Sequence, residues 1–300
     1  MNIINDYLTY LDAVRGLSAR TLEAYSDDLT KFADYCENHR IEPEQATAYH
    51  VQGFIAHLSF ERAAPGSINR RLSAVRGLYR WMIRNNRRQD NPCDLLRNVK
   101  ISQSLPSVLW EDEMAGFVEL PEVQNILWPA RDKAIIYTMY SAGLRVSELA
   151  SLKLTMLAKD MKSAKITGKG GKERKVFFSD EAYAAIADYL PERTAKITAA
   201  GLKGIDSNST LFINRKGQSL SVPGVRWIIG QYAQVSGLRK NIHPHSLRHT
   251  FATHLVNAGC DVRIVQEMMG HASLSTTQRY AHVNIERLKK VYANAHPHGR

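Results

Sequence analysis

The stretch His243-Pro244-His245-Ser246-Leu247-Arg248-His249, followed by Gly270-His271 and by Leu274-Ser275-Thr276-Thr277-Gln278-Arg279-Tyr280, decides how this chain is read. Pro244 stands where a helix starts, and His245, Arg248, His249, Phe251, Ala252, Leu255 and Val256 recur at helical spacing up to Asn257. His245 and Arg248 lie three apart and so share a face. Val262, Ile264, Val265, Met268 and Met269 predict a further helix ended by Gly270, and Ser275 to His282 continues as a helical segment carrying Tyr280. Two imidazoles, a guanidinium and a phenol together can bind a phosphodiester, move a proton and attack phosphorus. The remaining parts of such a site are expected upstream.

His245 and His249 have the spacing of zinc ligands on a helix, but that chemistry needs a Glu after the first His, and Ser246 stands there. No metal site is predicted. Taken singly, each histidine reads as a core residue; the set of Arg145, His245, Arg248, His271 and Tyr280, each beside a turn or a helix start, argues for chemistry.

Upstream, a core helix over Arg131 to Ser141 ends at Gly143, the residue type that caps helices with positive φ, and Leu144-Arg145-Val146-Ser147-Glu148-Leu149 follows. Apolar neighbours force Arg145 inward or into a cleft, and a buried Arg is costly unless paired. It is therefore either a partner of Glu148 inside the domain or a fixed phosphate ligand, for which the guanidinium fork suits two oxygens at once. Lys165-Ile166-Thr167 and Lys175-Val176-Phe177-Phe178 read as strands joined by Gly168-Lys169-Gly170-Gly171-Lys172, a hairpin turn that needs glycine dihedrals. Lys169 and Lys172 on this tip are either solvated or able to reach a phosphate or a base edge. A nucleotide-binding P-loop is excluded by the spacing.

The N-terminal third reads as an all-helical bundle: Ile3 to Val14, a helix capped by Ser18, Ala46 to Phe60, and Ser67 to Asn86. In the last of these, Ile68, Leu72, Val75, Tyr79 and Met82 form one face. Arg70, Arg76, Arg80, Arg84 and the following Arg87 and Arg88 gather on the other. With no acidic residue between Ser67 and Gln89, the face reads as phosphate-contacting rather than merely solvated. Asp90-Asn91-Pro92 is expected to stop the helix, and residues 98–107, polar and closed by Pro106, to link two domains, 1–97 and 108–300. In the second, Trp110-Glu111-Asp112-Glu113 starts a helix with an acidic first turn. Helices over Asp180 to Leu190 and Val225 to Ser236 flank a short apolar piece, Thr210-Leu211-Phe212-Ile213.

Three hundred residues allow two domains with cores of their own. Hydrophobic residues at 44% and charged ones at 23% indicate a soluble globular chain. No apolar run of roughly eighteen residues occurs, so no membrane span is predicted. The N-terminus lacks a secretory pattern, and a cytoplasmic location is expected. Cys36, Cys93 and Cys260, without a CxxC, suggest neither a disulfide framework nor a cysteine zinc site. A net charge of +11 favours a polyanionic partner.

Four boxes in order carry a resemblance: Gly143-Leu144-Arg145-Val146-Ser147-Glu148-Leu149; Gly168-Lys169-Gly170-x-Lys172-Glu173-Arg174; His243-Pro244-His245-x-Leu247-Arg248-His249-x-Phe251-Ala252-Thr253-His254; and Gly270-His271-x-x-Leu274-Ser275-Thr276-Thr277-Gln278-x-Tyr280. The chain is similar to the tyrosine recombinases of the phage integrase family, above all the bacterial Xer chromosome-dimer-resolution proteins. Val291-Tyr292-x-x-Ala295-His296-Pro297 resembles the XerC branch, and Met269 and Ala281 depart from the commonest residues.

The resemblance implies a mainly α fold with a small β-sheet: a helical, SAM-like core-binding domain and an α+β catalytic domain. It implies that Tyr280 attacks a DNA phosphodiester, that Arg145 and Arg248 bind the nonbridging oxygens, and that His245 is the general base. It further implies that His271 hydrogen-bonds the phosphoryl group and Lys169 is the general acid, with Arg70, Arg76, Arg80, Arg84 and Lys172 available to DNA. Glu148 is expected to orient its neighbours rather than react. No cofactor is implied. The implied partners are double-stranded DNA, a paralogous recombinase in a homo- or hetero-tetramer whose C-terminal segments (here Ile285 to His298) reach the neighbouring subunit, and a DNA-translocase activator. The rival readings are a phage or transposon integrase of the same family, a type IB topoisomerase and a catalytically silent DNA-binding protein.

Overall fold

The structure, a computed structural model, describes residues 3–17, 19–101, 107–168, 171, 173–201, 209–270 and 297. Ser18 as a helix cap, Lys169, Lys172, His271, the segment Ser275 to His282 with Tyr280, and all but one residue of the C-terminal segment lie outside the described residues. The chain divides into two compact units, Met1–Ser104 and Leu105–Arg300. Among the described residues no helix is long and apolar enough to cross a membrane.

Among its described residues the first unit contains four α-helices, α1 (Ile3–Ala13), α2 (Ala19–Asn38), α3 (Ala48–Phe60) and α4 (Pro65–Arg84). Their apolar stripes meet in a core that includes Leu29, Phe32, Phe54, Val75 and Tyr79. Helix α4 begins at Pro65, whose fixed φ suits the first turn. It ends at Arg84, with Asn86 in the left-handed conformation at φ 55°, and so stops well before Pro92, the expected terminator. As a result Arg87 and Arg88 do not extend the basic stripe. They turn back instead, Arg87 to Asp6 (2.8 Å) and Arg88 to Asp90 (2.9 Å) and the carbonyls of Glu44 and Ala46.

Carboxylates from other elements also reach α4. Asp28 on α2 pairs with Arg70 and lies 3.6 Å from Arg71. Arg76 donates to Asn98 Oδ1 (2.8 Å) and to the Leu96 carbonyl, while Asn69 and the Val99 backbone exchange two hydrogen bonds. Arg80 and Arg84 are exposed.

In the second unit, α5 (Glu111–Gln124) and α6 (Pro129–Ala142) precede α7 (Val146–Ser151). An antiparallel hairpin follows, β1 (Ser163–Thr167) and β2 (Glu173–Phe177), and then α8 (Asp180–Ala199), α9 (Val222–Val235), α10 (Pro244–Asn257) and α11 (Val262–Met269). Helix α6 is the central element, with Ala134, Ile135, Ile136, Met139 and Tyr140 all buried. The hairpin register runs from Ser163 opposite Phe177 to Thr167 opposite Glu173; β1 gains Ser163 and Ala164 over the expected strand, and β2 gains Glu173 and Arg174 but stops before Phe178.

Helix α8 passes through Pro191 to Ala199 rather than ending near Leu190. Its second half is held by tertiary contacts that local propensity does not see: Arg193, buried, donates to the carbonyls of Leu211 (2.9 Å) and Thr210 (2.7 Å) and to Ser209 Oγ (2.7 Å). The Thr210 to Ile213 piece forms only isolated bridges, Lys153 with Thr210 and Ile213 with Ser219.

Gly143 caps α6 at φ 55°, and a Cβ there would overlap the Phe251 ring of α10. The turn that aims Arg145 therefore requires glycine both for its dihedral and for the close approach of α10. Gly143→Ala is expected to destabilise the protein by about 2–3 kcal/mol, measured as a lowered midpoint in denaturant melts with an unchanged slope.

Candidate active site

Helix α7 starts at Arg145, whose backbone N–H donates to Glu148 Oε2 (2.7 Å) and whose side chain donates to Glu148 Oε1 (2.8 Å). Both sequence readings of Arg145 therefore meet at one residue: it is paired with Glu148, yet its side chain keeps 34% exposure. Arg145 Nη2 also donates to the carbonyl of Gly270 (2.9 Å).

Glu148 has two further cationic neighbours. Arg174 on β2 donates from Nη1 to Oε1 and from Nη2 to Oε2, both at 2.8 Å, and Arg248 on α10 lies 3.8 Å away. Burial alone would raise the Glu148 carboxyl. The hydrogen bonds from Arg174 and from the Arg145 backbone outweigh it, so the pKa falls to about 2. Arg248 is buried, and its guanidinium donates to the carbonyls of Gly143 and Met269. Burial first, and then the positive charge of Arg145, pull its pKa down to about 10, still far above neutrality. Three guanidiniums around one carboxylate leave a cationic excess whose accessible member is Arg145.

The histidines of the decisive stretch take different roles. His243 is the N-cap of α10: its Nδ1 accepts from the Ser246 N–H (3.1 Å), and Ser246 Oγ accepts from the His243 N–H (2.8 Å). His254 is a core residue. Its Nε2 lies 2.8 Å from the Leu109 carbonyl, which can only accept, so Nε2 carries the proton and Nδ1 accepts from the Tyr140 hydroxyl at 2.7 Å. His245 is exposed, its ring stacked 6.2 Å from that of His243. Burial of part of the ring, followed by His243, His249 and Arg248, lowers its pKa below the ordinary 6.5, so its imidazole is neutral at pH 7 and able to accept a proton.

The structure thus brings Arg145 and Arg248 together around Glu148 and sets His245 one helical turn from Arg248. Arg70 and Arg76 are engaged within the first unit. Arg174 joins the site without having been singled out from sequence. The available signal was strand alternation: Arg174 shares a face with buried Val176, so its guanidinium points inward.

At pH 7 the depressed Glu148 pKa stabilises the fold by on the order of 3 kcal/mol. The contribution is complete above the ordinary value of 4.5 and is lost as pH falls toward about 2. Glu148→Gln is expected to lower stability most at neutral pH, with the gap to wild type closing below 4.5 in a series of denaturant melts. In the free protein, His245 is expected to titrate below 6.5 by proton NMR.

Comparison with known proteins gives the family of the chain. Residues 108–287 match the phage integrase family, and residues 4–86 match the phage integrase N-terminal SAM-like domain. The tyrosine recombinase XerC of Treponema denticola is 40% identical over 303 residues, covering 99% of both chains. That of Pelotomaculum thermopropionicum is 39% identical over 304 residues, covering 99% of this chain and 98% of the relative. Among solved structures, the Tn1549 transposon integrase in complex with circular intermediate DNA superposes with a TM-score of 0.72 at 18% identity, covering 97% of this chain and 98% of the other. The XerH recombinase in a post-cleavage complex with its palindromic difH substrate gives 0.69 at 23%, covering 93% and 81%. These last two similarities establish the fold, a helical SAM-like domain followed by a mainly helical catalytic domain with a small sheet. By its family matches and its near full-length identity to XerC proteins, this chain belongs to the phage integrase family of tyrosine recombinases.

Proposed function

We propose that the protein is a site-specific recombinase that cleaves and rejoins double-stranded DNA and resolves chromosome dimers at cell division. The observation that carries the reading is the guanidinium cluster of Arg145, Arg174 and Arg248 around Glu148, with Arg145 accessible and neutral His245 on the same helix as Arg248. In this reading the Tyr280 oxygen bonds to phosphorus, the P–O5′ bond breaks, and the products are a 3′-phosphotyrosine and a 5′-hydroxyl. His245 takes the phenol proton, and Lys169 gives a proton to the departing oxygen. Ionising a phenol of pKa about 10 at neutral pH costs on the order of 4 kcal/mol. Arg145 and Arg248, on the nonbridging oxygens, offset that cost most where negative charge develops, and His271 adds a hydrogen bond to the phosphoryl group.

Because the bond to Tyr280 keeps the phosphoryl group activated, religation to a new strand needs neither nucleotide nor metal. Exchange between two duplexes requires four protomers and a Holliday junction. In this reading the protein acts on the chromosome in the cytoplasm, with a paralogous recombinase as partner and a DNA translocase as activator; the XerC names of the relatives support the Xer type. In the first domain, Arg80 and Arg84, exposed on α4, are the arginines best placed to meet phosphates; in the catalytic domain, Lys172 is the candidate for a DNA contact.

Nicked suicide duplexes carrying candidate chromosomal sites are expected to trap a covalent protein–DNA adduct with wild type and none with Tyr280→Phe. Arg145→Ala and Arg248→Ala are expected to slow adduct formation by about 100-fold or more. An undiminished adduct with Tyr280→Phe refutes the assignment. DNA affinity is expected to fall by roughly 100-fold or more between 50 and 200 mM salt, measured by fluorescence anisotropy.

A further inference from the structure

Arg174 has a place in the site that neither the family resemblance nor the proposed reaction assigns. Each oxygen of Glu148 accepts two hydrogen bonds: Oε1 from the side chains of Arg145 and Arg174, Oε2 from the Arg145 backbone and Arg174. Without Arg174, both of its contributions vanish, and among the described residues the Glu148 carboxylate is left with Arg145 alone as hydrogen-bond donor. The carboxylate is then free to pivot and to claim more of the guanidinium. Arg174 also donates from Nε to the Met268 carbonyl (3.1 Å), and it lies so close to Gly270 that a Cβ there would sit 3.0 Å from its Nη1. Gly270 caps α11 at φ 64°, and its carbonyl accepts from Arg145. The side chain of Arg174 is only 12% exposed, whereas that of Arg145 is 34% exposed. With Nη1 and Nη2 donating to Glu148 and Nε to the Met268 carbonyl, Arg174 is placed to act on a bound phosphate through other groups rather than by touching it.

We infer that Arg174 is a positioning residue for DNA cleavage: through Glu148 it fixes the guanidinium of Arg145, and through Met268 and Gly270 it fixes the end of α11, from which the chain continues to His271. The inference rests on the proposed cleavage reaction. The guanidinium fork is essential to the role, because a lysine keeps the charge but cannot supply two parallel hydrogen bonds and a third from Nε.

The test compares wild type, Arg174→Lys and Arg174→Met on a nicked suicide duplex that wild type cleaves, with melting temperatures recorded alongside. Single-turnover adduct formation at saturating protein is expected to fall about 100-fold in Arg174→Lys, while DNA affinity stays within about twofold of wild type. Combining Arg174→Met with Glu148→Gln is expected to cost no more than the worse single change, because both act on the same guanidinium.

A second readout does not depend on activity: in arginine-labelled protein, the Arg145 Nε–H resonance is expected to shift and exchange faster in Arg174→Lys. Cleavage by Arg174→Lys within about threefold of wild type, a rate loss matched by lost affinity, additive losses in the double variant, or an unchanged Arg145 resonance would each overturn the inference. Failure of both Arg174 variants to fold would overturn it too, since the residue would then be structural. If wild type forms no adduct on any site, the proposed reaction fails, and the Arg145 resonance still decides the role of Arg174.

Discussion

The carboxylate of Glu148 is the point on which the catalytic domain's site depends. It lies buried at the start of a six-residue helix, where an unpaired charge would be strongly unfavourable, and it is held ionised by guanidiniums from other parts of the chain. One comes from its own helix cap, one from a β-strand and one from α10. Because each guanidinium also grips backbone carbonyls at helix ends, the ion cluster joins the end of α6, the start of α7, the hairpin and the end of α11. The excess positive charge has been assembled during folding. In the proposed cleavage it is therefore available to a phosphoryl group without reorganisation when negative charge builds up.

That assembly needs an exact backbone as well as charge. Gly143 turns the chain out of α6 in a left-handed conformation with the Phe251 ring against it, and the carbonyl of Gly143 then accepts from Arg248. Helix α10 is fixed at both ends of its functional stretch. His243 and Ser246 cap its start, and near its end Thr250 and His254 hold the N–H and carbonyl of Leu109. His245, between these anchors, is left exposed with its imidazole neutral. His243 and His254 serve the architecture, and His245 is the histidine proposed for proton transfer.

Much of this was legible in the sequence. The glycine cap before Arg145, the pairing of β1 with β2, the proline start of α10 and the Gly270 terminus all follow from local preferences, and the structure contains each of them. The misreadings fell where partners come from distant sequence. The basic stripe on α4 looked uninterrupted because no acidic residue occurs within it, yet Asp28 and Asp6 arrive from α2 and α1. Helix α8 continues past Pro191 because Arg193 docks on the Thr210 and Leu211 carbonyls and on Ser209 Oγ.

What the sequence by itself determined is the set of elements and the family chemistry: periodicity, caps and four ordered boxes name the helices, the hairpin and the reactive residue types. What only the tertiary structure decided is how charges are shared. Whether Arg145 is a structural partner or a phosphate ligand could not be read from spacing, since the answer depends on how many other cations reach Glu148. Arg174 and Arg248 reach it from residues far along the chain, and a burial-dependent ion cluster exists only once those segments have packed.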